Sequence, residues 1–289
     1  MGAPEQQQIV LVAPNLGDGG SQRVVTLLAE AWSRQGHSVC VVTLYDRPDF
    51  YRLPSDVRRV SLGGDGLHLF RVVITFFQRL GYLLGRLWPD AGPAWVRSLR
   101  RLLTTGAVSV LSACGRAVRR LLGRRGLEML VRVAPSTRRR LRGLRQTVLD
   151  LKPSVVISFT GPTNVMSVLA CRDLSARLVI SERNDPTRQS LRFPWNDLRP
   201  HAYREADVVT ANSRGAIERL REWVPADRLC FVPNPLVVRS EGGSSPRNGD
   251  APRMLIVGRL HTQKGHDVLL NALTLLPPDV GEWTLVVVG

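Results

Sequence analysis

Cysteine is scarce in this chain of 289 residues: Cys40, Cys114, Cys171 and Cys230, with no C-x-x-C pair among them. That excludes a zinc ribbon or a disulfide framework and makes free thiols in a reducing compartment the expectation. The five histidines, His37, His68, His201, His261 and His266, show no metal-ligand spacing, so surface or cap roles are expected and no metal is. The start, MGAPEQQQIV, has neither a basic n-region nor an apolar h-region, which argues against a signal peptide. Gln6 stands where N-myristoylation favours Ser or Thr. The most apolar stretches outside the strands are VVITFF and the uncharged LLTTGAVSVLSACG (Leu102 to Gly115), both too short to span a bilayer. No repeat of solenoid period occurs.

Acidic residues are almost missing from one segment. Between Gly66 and Gln146 there are 17 Arg, no Lys, and only Asp90 and Glu128 as acids, so 15 of the chain's 16 net positive charges fall there. The remainder is nearly neutral. This reads as two ordinary α/β lobes flanking a strongly basic insert, residues 66–146. In the insert Leu67, Phe70, Val73, Ile74, Phe77, Leu80, Leu84 and Trp88 share one broad helical face, with Arg71, Arg79 and Arg86 opposite. RAVRRLLGRR and TRRRLRGLR continue the pattern. Apolar bodies with arginine flanks fit helices lying in an anionic headgroup layer. A helical subdomain packed on the core, its arginines solvated, fits the same pattern. Nucleic acid is the least favoured partner, because no recognition motif accompanies the charge.

The flanks alternate strand and helix. IVLVA (Ile9 to Ala13) reads as a buried strand and NLGDGGSQ as a glycine-rich loop. Val24, Leu27, Leu28, Ala31 and Trp32 then recur at helical spacing, closed by Gly36, and SVCVVTL (Ser38 to Leu44) is a second strand. Such a βαβ unit implies a parallel sheet. After the insert come a stripe of Leu141, Leu144, Val148 and Leu151 ended by Pro153, the strand VVISF (Val155 to Phe159), and the helix GPTNVMSVLAC. A strand in RLVISERNDP, ADVVTANS, the helix GAIERLREWV and RLCFVPNPL complete residues 1–238. Residues 239–252, RSEGGSSPRNGDAP, read as a flexible linker. Residues 253–289 open a second βαβ unit, MLIVG, a helix and WTLVVVG, which is too short for a core of its own and is expected to be incomplete.

Three loops carry the chemistry. Gly17, Gly19 and Gly20 lie between a strand and a helix, where glycines let backbone N–H groups approach a phosphate. The spacing is not G-x-G-x-x-G and no acid ends the second strand, so a nicotinamide dinucleotide is not expected. SERNDP (Ser181 to Pro186) leaves a strand at the sheet edge where open α/β folds bind ligands. There Glu182 or Asp185 suits a base or acceptor and Arg183 a phosphate, while a capping and turn role fits equally. GRLHTQKG (Gly258 to Gly265) sets the Arg259 guanidinium and the Lys264 ammonium on one strand-to-helix turn, where free N–H groups and the dipole already attract anions. That arrangement suits a diphosphate clamp; an ordinary turn with two solvated charges has the same spacing.

Taken together, NLGDGGSQRVVTLLAEAWSRQGHSVCVVTL, LKPSVVISF, ISERNDP, VPNPL and GRLHTQKGHDVLLNAL resemble the family-4 retaining glycosyltransferases. The SERNDP variant is similar to the branch that builds polysaccharides and lipid-linked glycans, including N-acetylgalactosamine transferases. The resemblance implies a GT-B fold of two Rossmann-like lobes and a hexosyl or N-acetylhexosaminyl transfer from a UDP- or GDP-sugar, without cofactor or metal. It implies that Arg259 and Lys264 stabilise the departing diphosphate, with Gly19, Gly20, Gly258 and Gly265 lining the donor cleft. It sets Glu182, Arg183 and Asn184 on the sugar and acceptor side. The acceptor would be a glycan or a polyprenyl-diphosphate-linked glycan, reached from the inner, cytoplasmic face of a membrane held by residues 66–146. Two departures stand beside this. The family's E-x7-E motif has no counterpart here, so the 289-residue chain alone is expected to be inactive, and the insert is longer than usual at that point. A catalytically incomplete module that binds membrane or acceptor is the alternative expectation.

Overall fold

The computed structural model describes residues 5–63, 123–129, 131–236, 253–277, 281 and 283–289. The chain divides into two compact units, Met1–Leu236 and Val237–Gly289. Residues 66–122 of the basic insert, including the amphipathic stretch Leu67 to Trp88, and the linker 239–252 lie outside the described residues.

Seven strands build the first unit: β1 Gln8–Ala13, β2 Ser38–Thr43, β3 Arg58–Ser61, β4 Val155–Phe159, β5 Arg177–Glu182, β6 Val208–Ala211 and β7 Leu229–Phe231. Their order is β3-β2-β1-β4-β5-β6-β7 and every pairing is parallel. Among the described residues the unit's helices include α1 Gly20–Arg34, α2 Pro135–Leu151, α3 Gly161–Cys171, α4 Trp195–Tyr203 and α5 Arg214–Leu220, with further helical residues at 123–129. Side chains alternate across a strand, so β1 and β2 feed two cores at once. Ile9, Leu11, Val39 and Val41 meet Val24, Val25 and Ala29 of α1. Val10, Val12, Cys40 and Val42 join the cluster built by α2 to α5 on the other face. This double cover explains the unbroken apolar runs IVLVA and SVCVVT, which a half-exposed strand would not show.

The strands expected at 9–13, 38–44 and 155–159 form within one residue of those limits. Gly36 takes the left-handed conformation after α1, φ 86°. The stripe Leu141, Leu144, Val148 becomes α2, which stops at Lys152 in the left-handed conformation just before Pro153. Two elements escape the sequence pattern. β3 is a four-residue edge strand whose arginines face solvent, and α4 contains Pro200.

Residues 135–146, read above as the insert's basic end, are the first turns of α2, and Leu141 and Leu144 are buried against the sheet. Their arginines are partly spoken for. Arg140 Nε donates to the Leu44 carbonyl (2.7 Å) and its guanidinium lies 4.4 Å from the Tyr45 ring centroid. Arg145 Nη1 donates to the carbonyls of Ala170 and Arg172. Just upstream, Arg124 pairs with Glu128 and Glu205, and Arg172 bridges the same two acids. Hydrogen bonding by Arg172, and then Arg124, holds the Glu128 carboxyl below the usual glutamate range against the opposing effect of burial.

The second unit contains β8 Arg253–Val257, α6 His266–Leu273 and β9 Thr284–Val288, with β8 and β9 parallel. Its apolar side chains stay open: Leu255, Val257 and Leu260 are 64%, 69% and 77% exposed. A parallel strand pair with so much apolar surface in water needs further cover.

Leu144→Ala is expected to lower the unfolding free energy by about 2–4 kcal/mol, because the site is closed on all sides and collapses little. A chemical denaturation midpoint unchanged from wild type would remove α2, and with it residues 135–146, from the core.

Candidate functional site

The sheet order reverses between β1 and β4, and the crevice at the carboxyl ends of such strands is where open α/β sheets take ligands. Two helix N-termini open there. After β1, Asn15 Oδ1 accepts from the Gly17 N–H (2.9 Å) and from Gln22 Nε2 (3.4 Å), shaping the glycine loop. Gly19 is the N-cap of α1, no side chain caps the helix, and its first turn holds no acid. The first N–H groups of α1 therefore remain available to an anion. The two glycines differ. A Cβ at Gly19 would collide with the Gln22 side chain, whereas one at Gly20 meets nothing within 4 Å. Packing among the described residues therefore does not require glycine at position 20.

After β4, Thr160 has φ 75° and ψ 146°, a region of backbone space reserved almost entirely for glycine. This β-branched residue precedes the N-terminus of α3, and its N–H donates to the Ser181 carbonyl (3.2 Å). Strain of order 1–3 kcal/mol is thereby held beside the crevice.

The SERNDP loop follows β5. Glu182, expected on the acceptor side, has no exposed surface. Its Oε1 accepts from the N–H groups of Arg183 (2.9 Å) and Asn184 (3.1 Å), and its Oε2 from the Tyr203 hydroxyl (2.6 Å). Arg199 Nη1 lies 3.9 Å from the same Oε2. Glu182 thus organises the loop, with both of its oxygens engaged inside the protein. Arg183 is half-buried; its Nη1 donates to Asn234 Oδ1 (2.7 Å) and its guanidinium lies 5.2 Å from the Phe159 ring centroid. Burial pulls its pKa down and Glu182 opposes this. SERNDP and VPNPL, far apart in sequence, are joined by that bond. Asn184 is half-buried at the loop's turn. Asp185 closes a local turn, its Oδ1 accepting from the Thr187 N–H and hydroxyl, and those bonds hold its carboxyl below the usual range.

The partners of Glu182 were not singled out in the sequence. Asn164 Nδ2 donates to the Ser181 carbonyl and to the Tyr203 hydroxyl, while Asn164 Oδ1 accepts from Ser158 Oγ. Tyr203 is wholly buried, and burial followed by the charge of Glu182 raises its pKa well above the ordinary phenol value. From α4, Arg199 Nη2 donates to the carbonyls of Pro186 (2.5 Å) and Gln189 (3.2 Å). The loop is therefore gripped at its start by a carboxylate and further on by a guanidinium. One signal was legible: Asn164 sits in the apolar helix GPTNVMSVLAC, where a buried amide has to be hydrogen-bonded.

In the second unit, GRLHTQKG runs from the end of β8 through a single 3-10 turn, Thr262–Lys264, into α6. Gly265 is left-handed at φ 68°, as the junction requires. His261 Nδ1 accepts from the Gln263 N–H (3.2 Å), and His266 Nε2 lies 3.0 Å from the Arg259 carbonyl oxygen. The Lys264 side chain runs past Gly258, where an added Cβ would stand 3.4 Å from its Cγ and Cδ. Arg259 and Lys264 are both exposed. Gly19, Gly20 and Glu182–Asn184 belong to the first unit and Gly258–Gly265 to the second. Among the described residues no group of three or more His, Cys, Asp or Glu is placed to hold a metal ion.

Comparison with known proteins agrees with this layout. Residues 105–235 match the glycosyl transferase 4-like domain. No curated protein matches the chain at a significant level. Solved structures do: the lipopolysaccharide outer core galactosyltransferase WaaB in its apo form is 13% identical over 97% of this chain and 60% of that one, TM-score 0.55. HepE of Anabaena in complex with UDP-glucose is 12% identical over 98% and 60%, TM-score 0.54. A glycosyltransferase from Rickettsia africae is 14% identical over 99% and 61%, TM-score 0.53. The likeness establishes the fold, α/β of the GT-B type, and the chain spans about three-fifths of the length of these proteins.

Gly20→Ala is expected to leave thermal stability unchanged or slightly raised, since alanine is favoured over glycine in a helix by up to about 1 kcal/mol. A clearly lowered melting temperature would show that packing at position 20 does require glycine.

Proposed function

We propose that the chain carries the acceptor lobe and the opening of the donor lobe of a retaining glycosyltransferase, which moves a hexosyl or N-acetylhexosaminyl unit from a UDP- or GDP-sugar to a glycan acceptor. The observation that carries the reading is the turn from β8 into α6, which sets Arg259 and Lys264 beside a helix N-terminus that no side chain caps, with Asp267 in its first turn. The match at residues 105–235 and the UDP-glucose complex of HepE support it. In the reaction the bond between the anomeric carbon and the diphosphate breaks, and the diphosphate leaves with the electron pair. The acceptor oxygen bonds to that carbon on the face just vacated and passes its proton to an oxygen of the departing diphosphate. A guanidinium, an ammonium and helix N–H groups already in place neutralise the charge as it develops, at no reorganisation cost. No cofactor or metal is invoked. Glu182 orients the SERNDP loop and takes no part as base.

The acceptor is read as lipid-linked or polysaccharide, met at the inner membrane face. Support comes from the arginine excess between Gly66 and Gln146. Among the described residues no helix is long and apolar enough to cross a membrane. A second reading, an acceptor-binding module without turnover, is favoured by the exposed apolar faces of β8 and β9, and the 289-residue chain alone is expected to turn over poorly for that reason.

The enzyme reading is tested by nucleotide release from a panel of UDP- and GDP-sugars. Lys264→Ala is expected to lower kcat about 100-fold or more, the usual effect of removing one stabiliser of transition-state charge. Absence of turnover with every donor sinks the reading. Membrane association is checked by vesicle flotation: binding is expected with anionic lipid and not with neutral lipid, and equal binding to both, or to neither, refutes it.

A further inference from the structure

The guanidiniums of Arg183 and Arg199 share one buried carboxylate at the base of the SERNDP loop. Arg199 lies 3.9 Å from Glu182 Oε2, and both residues are removed from water, so that pair balances itself. Arg183 is the cation left over. Glu182 accepts from its backbone N–H and not from its guanidinium. The guanidinium rests instead on neutral groups, the Asn234 amide oxygen at 2.7 Å and the Phe159 ring, its centroid 5.2 Å away. Its Nε is buried and has no hydrogen-bond partner among the described residues. Burial opposes the charge of Arg183 more strongly than the nearby Glu182 supports it. A charge drawn partly out of water is held best by an opposite charge that also bonds it.

Asn234 in turn fixes a stretch of chain. It lies between Pro233 and Pro235, neither of which has an N–H to donate. The sheet lets go just before it, with the bond from the Val232 N–H to the Ala211 carbonyl (2.9 Å). Beyond that bond, among the described residues, only the Arg183 side chain makes a hydrogen bond to residues 233–236. Leu236, where the first unit ends, is 87% exposed. The path by which the chain leaves the sheet therefore depends on one surface bond between a cation and a neutral amide.

An anion competes well for such a cation. Hydrogen bonds between two ionised partners are shorter and about twice as strong as neutral ones. A phosphate group also offers paired oxygens that match the guanidinium fork, which a single amide oxygen does not. Arg183 stands at the carboxyl end of β5, the edge of the sheet at which open α/β folds receive ligands.

We propose that Arg183 is an anion-responsive latch. Without ligand it holds Asn234, and with it residues 233–236; a phosphate-bearing ligand at the sheet edge draws the guanidinium away and releases them. What the release does for turnover rests on the glycosyl-transfer reading; the exchange of partners does not.

The test follows the full chain by NMR while inorganic pyrophosphate is added at constant ionic strength. The Arg183 Nε–H resonance is expected to shift, and the Asn234 backbone amide to lose about half of its heteronuclear NOE, over the same concentration range. In Asn234→Ala that amide is expected to be mobile from the start, and Arg183 to take pyrophosphate several-fold more tightly. In Asn234→Asp a carboxylate replaces the amide oxygen, and about ten-fold more pyrophosphate is expected to be needed. Asn234 is exposed, and circular dichroism checks that each variant folds; should one fail, the other decides. Separate titrations with UDP and with geranyl diphosphate distinguish a nucleotide from a lipid source of the phosphate, by which acts at the lower concentration. Arg183 unmoved by pyrophosphate, Arg183 shifted while Asn234 stays rigid, an equal response to sodium chloride, or one midpoint shared by wild type and the folded variants overturns the proposal. The response is read at Arg183 and Asn234 and not in turnover, so it and the donor reading at Lys264 fail separately.

Discussion

A carboxylate removed from water has to find its whole hydrogen-bonding complement in the protein, and Glu182 does. Satisfying it determines a chain of consequences. The N–H groups of Arg183 and Asn184 turn toward it, which sets the path of the SERNDP loop. Tyr203 must bring its hydroxyl, which seats α4 against α3. Asn164 then bridges Tyr203 to Ser158 and Ser181, tying β4, β5 and α3 into one polar centre inside an otherwise apolar layer. Arg199 arrives on the same helix and takes the far carbonyls of the loop. A network so connected tolerates loss of a member poorly, since each deletion strands a buried partner.

Much of this architecture was written in the periodicity. IVLVA, SVCVVT and VVISF have no polar face, and only a parallel sheet covered on both sides uses such strands. The stripe of Leu141, Leu144 and Val148 announced α2 through its spacing. What the pattern hid has physical causes. β3 offers two outward arginines and one apolar residue, too little to distinguish it from a loop, and α4 contains a proline that argues locally against a helix.

The site divides in the same way. Glycines at a strand-to-helix junction and cations at another are local features, and both loops lie where their neighbours in sequence put them. The role of Glu182 is not local. Spacing marks it as an acid at a sheet edge; only the arrival of Tyr203, 21 residues later, and of Arg199 shows that its oxygens are taken. Likewise Arg183 and Asn234 lie 51 residues apart and meet because β5, β6 and β7 are adjacent strands. A segment can be basic throughout and still end against the core, as Arg140 and Arg145 do by donating to backbone carbonyls.

The anchoring of that end has a topological consequence. β3 and the helical residues just before α2, among them the buried Leu127 and Val131, are both fixed to the core, so the chain from Leu62 to Gly123 is a crossover whose two ends are held in place. The entropy of closing such a connection grows only with the logarithm of its length, about 0.6 kcal/mol for each doubling. Closure entropy alone therefore sets only a weak limit on the length of this connection, while its two anchored ends keep the register of β1, β2 and β4 as it is.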